Sequence, residues 1–332
     1  MFIFDGVERG LWPKLTLCMA EYNPIWWRGA STLFTSEGGH VMTIIKESST
    51  PLNVEINPRN PEFDLEEVLS RDWHNNDPFK TAYSNALSLT FPLGEKYFIN
   101  SVKPFKDRIK DPKLQREVIG FYKQEIVHSN EHQNFNETLC RVRGYDLDEL
   151  ERPLRRRLNW VYDNLSRVRM LAGTVAMEHF TAILADGMLK DPRWLEGVDP
   201  AIAPLWRWHA IEETEHKSVA FDVFQRFSGN TKTRRRAMIM STFFLWKDVF
   251  RNMRIMLEKD GNNSFKVWWK GLNWLFGKPG LMRSILPQYF AFFKKDFHPW
   301  QHDNRELITR WETEMKAEMN ASEQEELVPQ SA

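Results

Sequence analysis

The sequence predicts an all-α fold: a four-helix bundle with additional C-terminal helices and an irregular N-terminal extension. Apolar residues recur at helical spacing from about residue 77 onward, and Asp-Pro pairs mark three helix starts. Glu and Glu-x-x-His elements recur in an order that suits a metal site built inside a bundle. Residues 1–60 instead contain several prolines and a short β-like run at 41–45. We therefore assign 1–60 to an irregular extension, 61–230 to a metal-binding bundle and 231–332 to aromatic-rich helices packed on it.

Composition limits the class of protein. Forty-five basic residues balance 45 acidic ones, so no long-range field attracts nucleic acid, and no nucleic-acid partner is expected. The cysteines, Cys18 and Cys140, form no C-x-x-C pair, which argues against a disulfide framework or a thiolate zinc site. The first residues lack the basic start of a signal peptide, and no apolar run reaches the length of a membrane span. These features predict a cytoplasmic protein.

The stretch from Trp208 to His216 carries the strongest chemical signal. On a helix, His209, Glu213 and His216 stand at positions i, i+4 and i+7, which lie on one face. Two imidazoles and a carboxylate on one stripe could hold a transition metal. Glu212 flanks this stripe, and Glu215 is expected to be exposed. The helix is expected to begin at Asp199-Pro200.

Two earlier helices supply further ligand candidates. Glu95 lies among apolar residues, and Pro92 is expected to break or kink its helix one turn earlier. The next helix should run from the Asp111 cap to about Arg143, and it carries Glu125 and His128 at Glu-x-x-His spacing. His132 lies one turn further along that helix. It is either a neutral packed histidine or a partner of the ligands.

Glu178 provides the remaining carboxylate, on a helix predicted from Leu158 to Leu189. A carboxylate on an apolar stripe needs a partner or a metal, because burying it unpaired is costly. Residues 145–158 are highly charged, and they predict a solvated crossover or a short surface helix. The alternative is that their arginines bind an anionic substrate.

The chain contains 14 Trp and 23 Phe, many of them near its C-terminal end. Three interpretations remain open for this region. Its helices could simply cover the bundle, line a tunnel for a hydrophobic substrate, or lie on a membrane surface with basic residues toward the headgroups.

The order Glu, Glu-x-x-His, Glu, His-x-x-x-Glu-x-x-His resembles that of the ferritin-like di-iron oxygenases, and the extra His209 resembles the p-aminobenzoate N-oxygenase group. That resemblance implies a ferritin-like bundle. Its implied metal ligands are Glu95, Glu125, His128, Glu178, His209, Glu213 and His216. The stretches 91–95, 177–180 and 208–213 are also similar to a bacterial family of predicted metal-dependent hydrolases, over roughly residues 55–300. The two resemblances agree on metal and differ on chemistry.

The primary functional prediction is a di-iron or di-manganese enzyme that activates O₂ and oxidises a hydrophobic or aromatic small molecule, with the seven ligands as its catalytic residues. Two iron ions are expected, with manganese or zinc as alternatives. No flavin or iron–sulfur motif is present, so a separate electron-donor protein would be required. One alternative is a two-metal hydrolase of an ester, amide or phosphate. The other is a non-enzymatic metal-binding bundle; peripheral membrane contact and a homodimer stay open.

Overall fold

The computed structural model describes residues 47–314, and this part of the chain is helical with no β-strand. The prediction of an all-α fold is confirmed there. The β-like run at 41–45, most of the predicted extension and residues 315–332 lie outside the described residues. The α-helices are α1 (Glu66–Leu69), α2 (Pro78–Ser88), α3 (Phe91–Val102), α4 (Pro112–Arg143), α5 (Leu147–Asn164), α6 (Arg167–Lys190), α7 (Ala203–His216), α8 (Val219–Phe227), α9 (Thr231–Lys259), α10 (Phe265–Phe276) and α11 (Leu281–Ala291).

Local capping defines the long helix α4. The Asp111 side chain accepts a hydrogen bond from the backbone N–H of Lys113, and Pro112 takes the first helical position, where its missing N–H costs nothing. At the other end Gly144 adopts φ +70°, the left-handed conformation that commonly ends a helix. The predicted bounds of this helix are therefore confirmed.

Pro92 separates α2 from α3. It is the second residue of α3, and α2 ends three residues before α3 begins. The expected interruption is present, and it places Glu95 in the first two turns of a new helix.

The predicted start of the third bundle helix, Leu158, is wrong. Leu158 belongs to α5, and Leu165 then takes an extended conformation that separates α5 from α6. Ser166 caps α6 by accepting from the N–H of Arg169. Of the two predictions for the charged stretch, a solvated crossover or a short surface helix, the structure shows a helix, and at 18 residues it is longer than predicted. The fourth helix also begins later than predicted, at Ala203, because Asp199 caps a preceding turn.

Helices α3, α4, α6 and α7 form the bundle. Within the bundle, α3 packs on α4 and α6 packs on α7. Helix α4 also contacts α7, and α3 also contacts α6. Phe121 and Phe135 of α4 are fully buried in two separate apolar clusters, and the turns between them carry Glu125 and His128. The polar centre therefore lies between two apolar cores. Helix α9 packs on α2 and α6. Helix α10 packs on α2, helix α11 packs on α6, and α10 and α11 pack on each other.

Within the described residues, no helix is long and apolar enough to cross a membrane.

Candidate metal centre

The seven candidate ligands lie together inside the bundle. Glu95 comes from α3, Glu125 and His128 from α4, Glu178 from α6 and the remaining three from α7. Each is at most 4% exposed. Six of them form two sets of three residues. Within each set, every residue offers one ligand atom, and these three atoms lie within 4.8 Å of one another. These sets are Glu95, His128 and His209, and Glu125, Glu213 and His216.

Glu213 lies between the two sets. Its Oε1 is 3.0 Å from His209 Nε2 and 3.7 Å from His128 Nδ1. Its Oε2 is 3.5 Å from His216 Nε2 and accepts a hydrogen bond from the Thr181 hydroxyl. The two oxygens of one carboxylate therefore face different sets, which is the arrangement that a bridging ligand requires.

The other carboxylates approach the same imidazoles. Glu125 Oε1 and Glu178 Oε2 lie 3.3 Å and 3.4 Å from His216 Nε2. Glu95 Oε1 lies 3.9 Å from His209 Nε2. Glu178 therefore joins the set of Glu125 and His216.

Many of these buried atoms lack a hydrogen-bond partner. Both carboxyl oxygens of Glu95, Glu125 and Glu178 have none, and neither do His128 Nδ1 and His216 Nε2. Leaving a buried polar atom unpaired is costly, and such atoms are normally satisfied. Here they converge on one place and belong to the residue types that bind transition metals. The residues thus fit a pair of metal ions.

Without metal, the pKa values of the centre are strongly displaced. Burial, followed by the neighbouring carboxylates, raises the pKa of Glu95 and of Glu125 well above the usual value. Burial raises the pKa of Glu178 to about 8, although His216 opposes the shift. Burial would also raise the pKa of Glu213, but His216 and His209 outweigh it and lower that pKa well below normal. Glu213 therefore stays ionised while its neighbours hold protons.

Outer hydrogen bonds orient each histidine. His128 Nε2 lies 3.0 Å from Glu212 Oε2, and His216 Nδ1 lies 3.0 Å from the side-chain oxygen of Gln124. Both acceptors require an N–H on these nitrogens, so His128 Nδ1 and His216 Nε2 are left free to bind metal.

His132 performs the same task for the third histidine. Its Nε2 lies 2.7 Å from His209 Nδ1, and its Nδ1 lies 2.9 Å from the Ser88 hydroxyl. That hydroxyl donates to Asn136 Oδ1, which fixes the direction of the whole chain of hydrogen bonds. Burial, followed by the nearby His209, lowers the pKa of His132 well below its usual value. His132 is therefore both neutral and a partner of a candidate ligand.

The two acids that flank the stripe, Glu212 and Glu215, have a partner that the sequence did not predict. Glu215 is 1% exposed, which corrects the expectation of an exposed side chain. Arg59 lies between it and Glu212, with Arg59 Nη2 2.6 Å from Glu215 Oε1 and Nη1 3.2 Å from Glu212 Oε1. An arginine about 150 positions away has no signature in the local spacing. The sequence feature that could have indicated a buried partner for these acids is their concentration within an otherwise apolar helix.

A cavity of about 590 Å³ leads to the centre. Glu95, Glu213 and Thr181 lie on its wall, and most of the remaining wall is apolar. Of the C-terminal helices, α9 contributes to this wall. The residues of α9 that line the cavity are Thr233, Arg236, Ala237, Met240, Ser241, Phe244, Leu245 and Asp248. Helix α5 supplies part of the opposite wall, and Arg157 of α5 pairs with Asp248 there.

Comparison with known proteins bears on the chemistry. A family model described as "predicted metal-dependent hydrolase" matches residues 57–303, whereas no curated protein and no solved structure matches the chain. This match overturns the primary prediction of an O₂-activating di-iron enzyme. The error arose because carboxylates and imidazoles serve oxidation and hydrolysis alike, so the ligand pattern alone does not separate them. Since the match spans well over half of its length, the chain belongs to the family of predicted metal-dependent hydrolases.

Proposed function

We propose that the protein hydrolyses an ester or amide bond of a largely apolar small molecule at a pair of divalent metal ions. The observation that carries the proposal is the group of unpartnered, buried ligand atoms at the inner end of an apolar cavity. Family membership favours hydrolysis over other metal chemistry. The cavity volume, about 590 Å³, is in the usual range for a small-molecule site.

One ion would be held by Glu95, His128 and His209, and the other by Glu125, Glu178 and His216, with Glu213 shared. Imidazole and carboxylate donors suit Mn²⁺, Fe²⁺ and Zn²⁺. Among the described residues the single cysteine, Cys140, lies in an apolar cluster elsewhere, so thiolate ligation plays no part. When bound, such a pair polarises the scissile carbonyl group and lowers the pKa of a water molecule.

The chain itself would position the substrate. Glu95 and Glu213 are the candidate ligands that border the cavity, so the bond to be cleaved has to reach them. The Thr181 hydroxyl, which also borders the cavity, holds Glu213 in place. The walls from α3, α5 and α9 would bind the apolar part of the substrate and exclude bulk water, which strengthens electrostatic interactions at the centre.

The proposal is tested by loading metal-free protein anaerobically with Mn²⁺, Fe²⁺ or Zn²⁺ and assaying p-nitrophenyl esters and anilides of increasing acyl length. We expect turnover without O₂ that stops when a chelator is added and improves with acyl length. Glu125→Gln should lose bound metal and activity. Glu137→Gln, an exposed position on the same helix, is the matched control and should lose neither.

Absence of hydrolysis with all three metals, in protein shown to contain two ions, would refute the proposed reaction. Equal metal content in Glu125→Gln and the wild-type chain would instead refute the ligand assignment.

A further inference from the structure

The outer face of α9 carries an exposed stripe that combines apolar and basic side chains. Ile239, Phe243 and Met240 are exposed by 56%, 60% and 51%. Lys232 and Lys247 lie beyond them, and both are exposed. Their spacing of three or four residues places these side chains within about 100° of one another around the helix. The stripe is therefore apolar in the middle and basic at both ends.

Helices α10 and α11 contact α9 next to this stripe. Trp246 of α9 contacts Phe276 of α10 with ring centroids 5.3 Å apart, and Tyr289 of α11 donates a 3.1 Å hydrogen bond to Thr242 of α9. The exposed apolar residues that these two helices add are Phe265, Trp269, Leu272, Phe276, Leu286 and Phe290. We call these residues, with the α9 stripe, the α9–α11 face. Large exposed apolar patches of this kind mark interaction sites.

The charge of this part of the chain is one-sided. Residues 229–295 contain fourteen Lys and Arg against three Asp and Glu, a formal net charge of +11 in a chain whose total is zero. All three acids are paired: Asp248 with Arg157, Asp260 with Arg143 and Glu258 with Arg254. A basic, aromatic surface of this kind is complementary to anionic headgroups above an apolar layer.

The cavity reaches the surface at the edge of this face. Met240 and Arg236 of α9 are exposed and also line the cavity, and the same holds for Trp160 of α5 and Arg169 of α6. Apolar material could therefore pass from the α9–α11 face into the cavity without crossing a polar rim of acids.

We propose that the α9–α11 face docks onto the surface of an anionic phospholipid bilayer. Its aromatic and aliphatic side chains enter the interfacial layer, and its lysines and arginines contact the headgroups. The cavity mouth then opens beside the membrane, so the substrate is an amphiphile delivered from the bilayer. Docking is independent of the proposed hydrolysis, whereas delivery of a substrate rests on it.

An apolar centre distinguishes this surface from one built for nucleic acid. Phosphate backbones are bound by cationic and hydrogen-bonding groups, and the exposed side chains in the middle of the stripe offer neither. The strong net positive charge also opposes pairing of the face with itself in a second copy of the chain.

The test is flotation of the full-length, metal-loaded protein with vesicles of phosphatidylcholine alone or mixed equally with phosphatidylglycerol. We expect binding to the anionic vesicles that weakens with salt. The variant Lys232→Glu with Lys247→Glu should bind at least about 25-fold more weakly, since each basic residue near an anionic surface contributes about a fivefold effect. The variant Ile239→Ser with Phe243→Ser should also lose binding.

Ile126→Ser and Arg116→Glu, at exposed positions of α4, are the matched controls and should bind like the wild-type chain. Equal binding of the face variants and the controls would overturn the proposal. So would a wild-type chain that fails to float, that binds an oligonucleotide instead, or that forms a dimer which Ile239→Ser with Phe243→Ser dissociates. Hydrolysis of a soluble short-chain ester by the face variants should stay unchanged. Vesicle binding without any hydrolysis would leave docking intact and refute the proposed function alone.

Discussion

Glu213 is the residue on which both proposed metal positions depend. Its two oxygens face different sets of ligands, and its low pKa keeps it ionised without metal. Glu213→Gln should therefore reduce the bound metal from two ions to one or none. Metal analysis of the purified variant measures this, with Glu137→Gln on the surface of α4 as control. Retention of two ions by Glu213→Gln would contradict a shared ligand.

His132 acts through His209, which its Nε2 contacts at 2.7 Å. His132→Leu removes the acceptor that fixes the ring of His209, and partners of this kind typically change metal affinity by about 10–100-fold. His132→Gln, whose amide oxygen can replace the acceptor, should lose less. Competition with a chelator measures the affinity. If both variants lower the unfolding temperature but leave affinity unchanged, the role of His132 is structural only.

The buried carboxyl groups predict how metal stabilisation depends on pH. The pKa of Glu178 rises on folding from 4.5 to about 8 because of burial, and those of Glu95 and Glu125 also rise. At these three carboxyl groups the metal-free folded state then holds protons that the unfolded state has lost, so their contribution to its stability falls as the pH rises through this window. Metal has to displace the same protons, so it binds more tightly as the pH rises.

The difference in unfolding free energy between metal-loaded and metal-free protein should therefore grow from about pH 5 to about pH 8. Denaturant titration at several pH values measures it. Glu178→Gln removes one of the titrating groups and should flatten the dependence. A difference that stays constant in the wild-type chain would contradict the prediction.

Spacing along single helices predicts the seven candidate ligands because each helix presents its ligands on one face. It fails for Arg59 and Ser88, which lie outside the four ligand-bearing helices. It also fails for Gln124 of α4, because its partner His216 lies on a different helix. For Glu215 the failure has a further reason. A carboxylate one residue from the ligand stripe is exposed on an isolated helix, and here a distant arginine covers it.

At the level of helices, two glycines that line the cavity should respond differently to the same substitution. A Cβ at Gly173 of α6 would lie 2.7 Å from the Tyr97 hydroxyl, which donates a hydrogen bond to the carbonyl oxygen of Met170. Gly173→Ala should therefore cost about 1–3 kcal/mol. A Cβ at Gly94 of α3 meets nothing closer than 3.9 Å, so Gly94→Ala should stabilise by up to about 1 kcal/mol. Urea denaturation measures both, and equal effects would contradict the prediction.

Helix bounds follow from the sequence where capping residues coincide with the apolar pattern. Asp111, Pro112 and Gly144 delimit α4 in this way. The division between α5 and α6 was not predicted, because the apolar pattern continues through Leu158 and Leu165 into the next helix. The cap of Ser166 is the local signal that marks the break.

At the scale of the whole molecule, Arg59 connects the segment before α1 to the back of the metal centre. Arg59→Met would leave the buried Glu212 and Glu215 without their cation, which for buried pairs costs about 3–5 kcal/mol. Arg59→Lys keeps the charge and should lose less. Guanidinium denaturation compares the two. Equal stability of the two variants would show that the charge of Arg59 contributes nothing.

The uneven charge of residues 229–295 also affects how the protein behaves in solution. With +11 in this segment, the rest of the chain carries the compensating −11. A pI near 7.1 suggests a protein that does not bind ion exchangers at neutral pH and stays soluble in buffer of low ionic strength. A protein whose positive and negative charges are concentrated in different places behaves differently. Its basic surface binds a cation exchanger, and at low salt the basic surface of one copy attracts the acidic surface of another. Solubility should therefore improve as salt is added, the reverse of what neutrality implies.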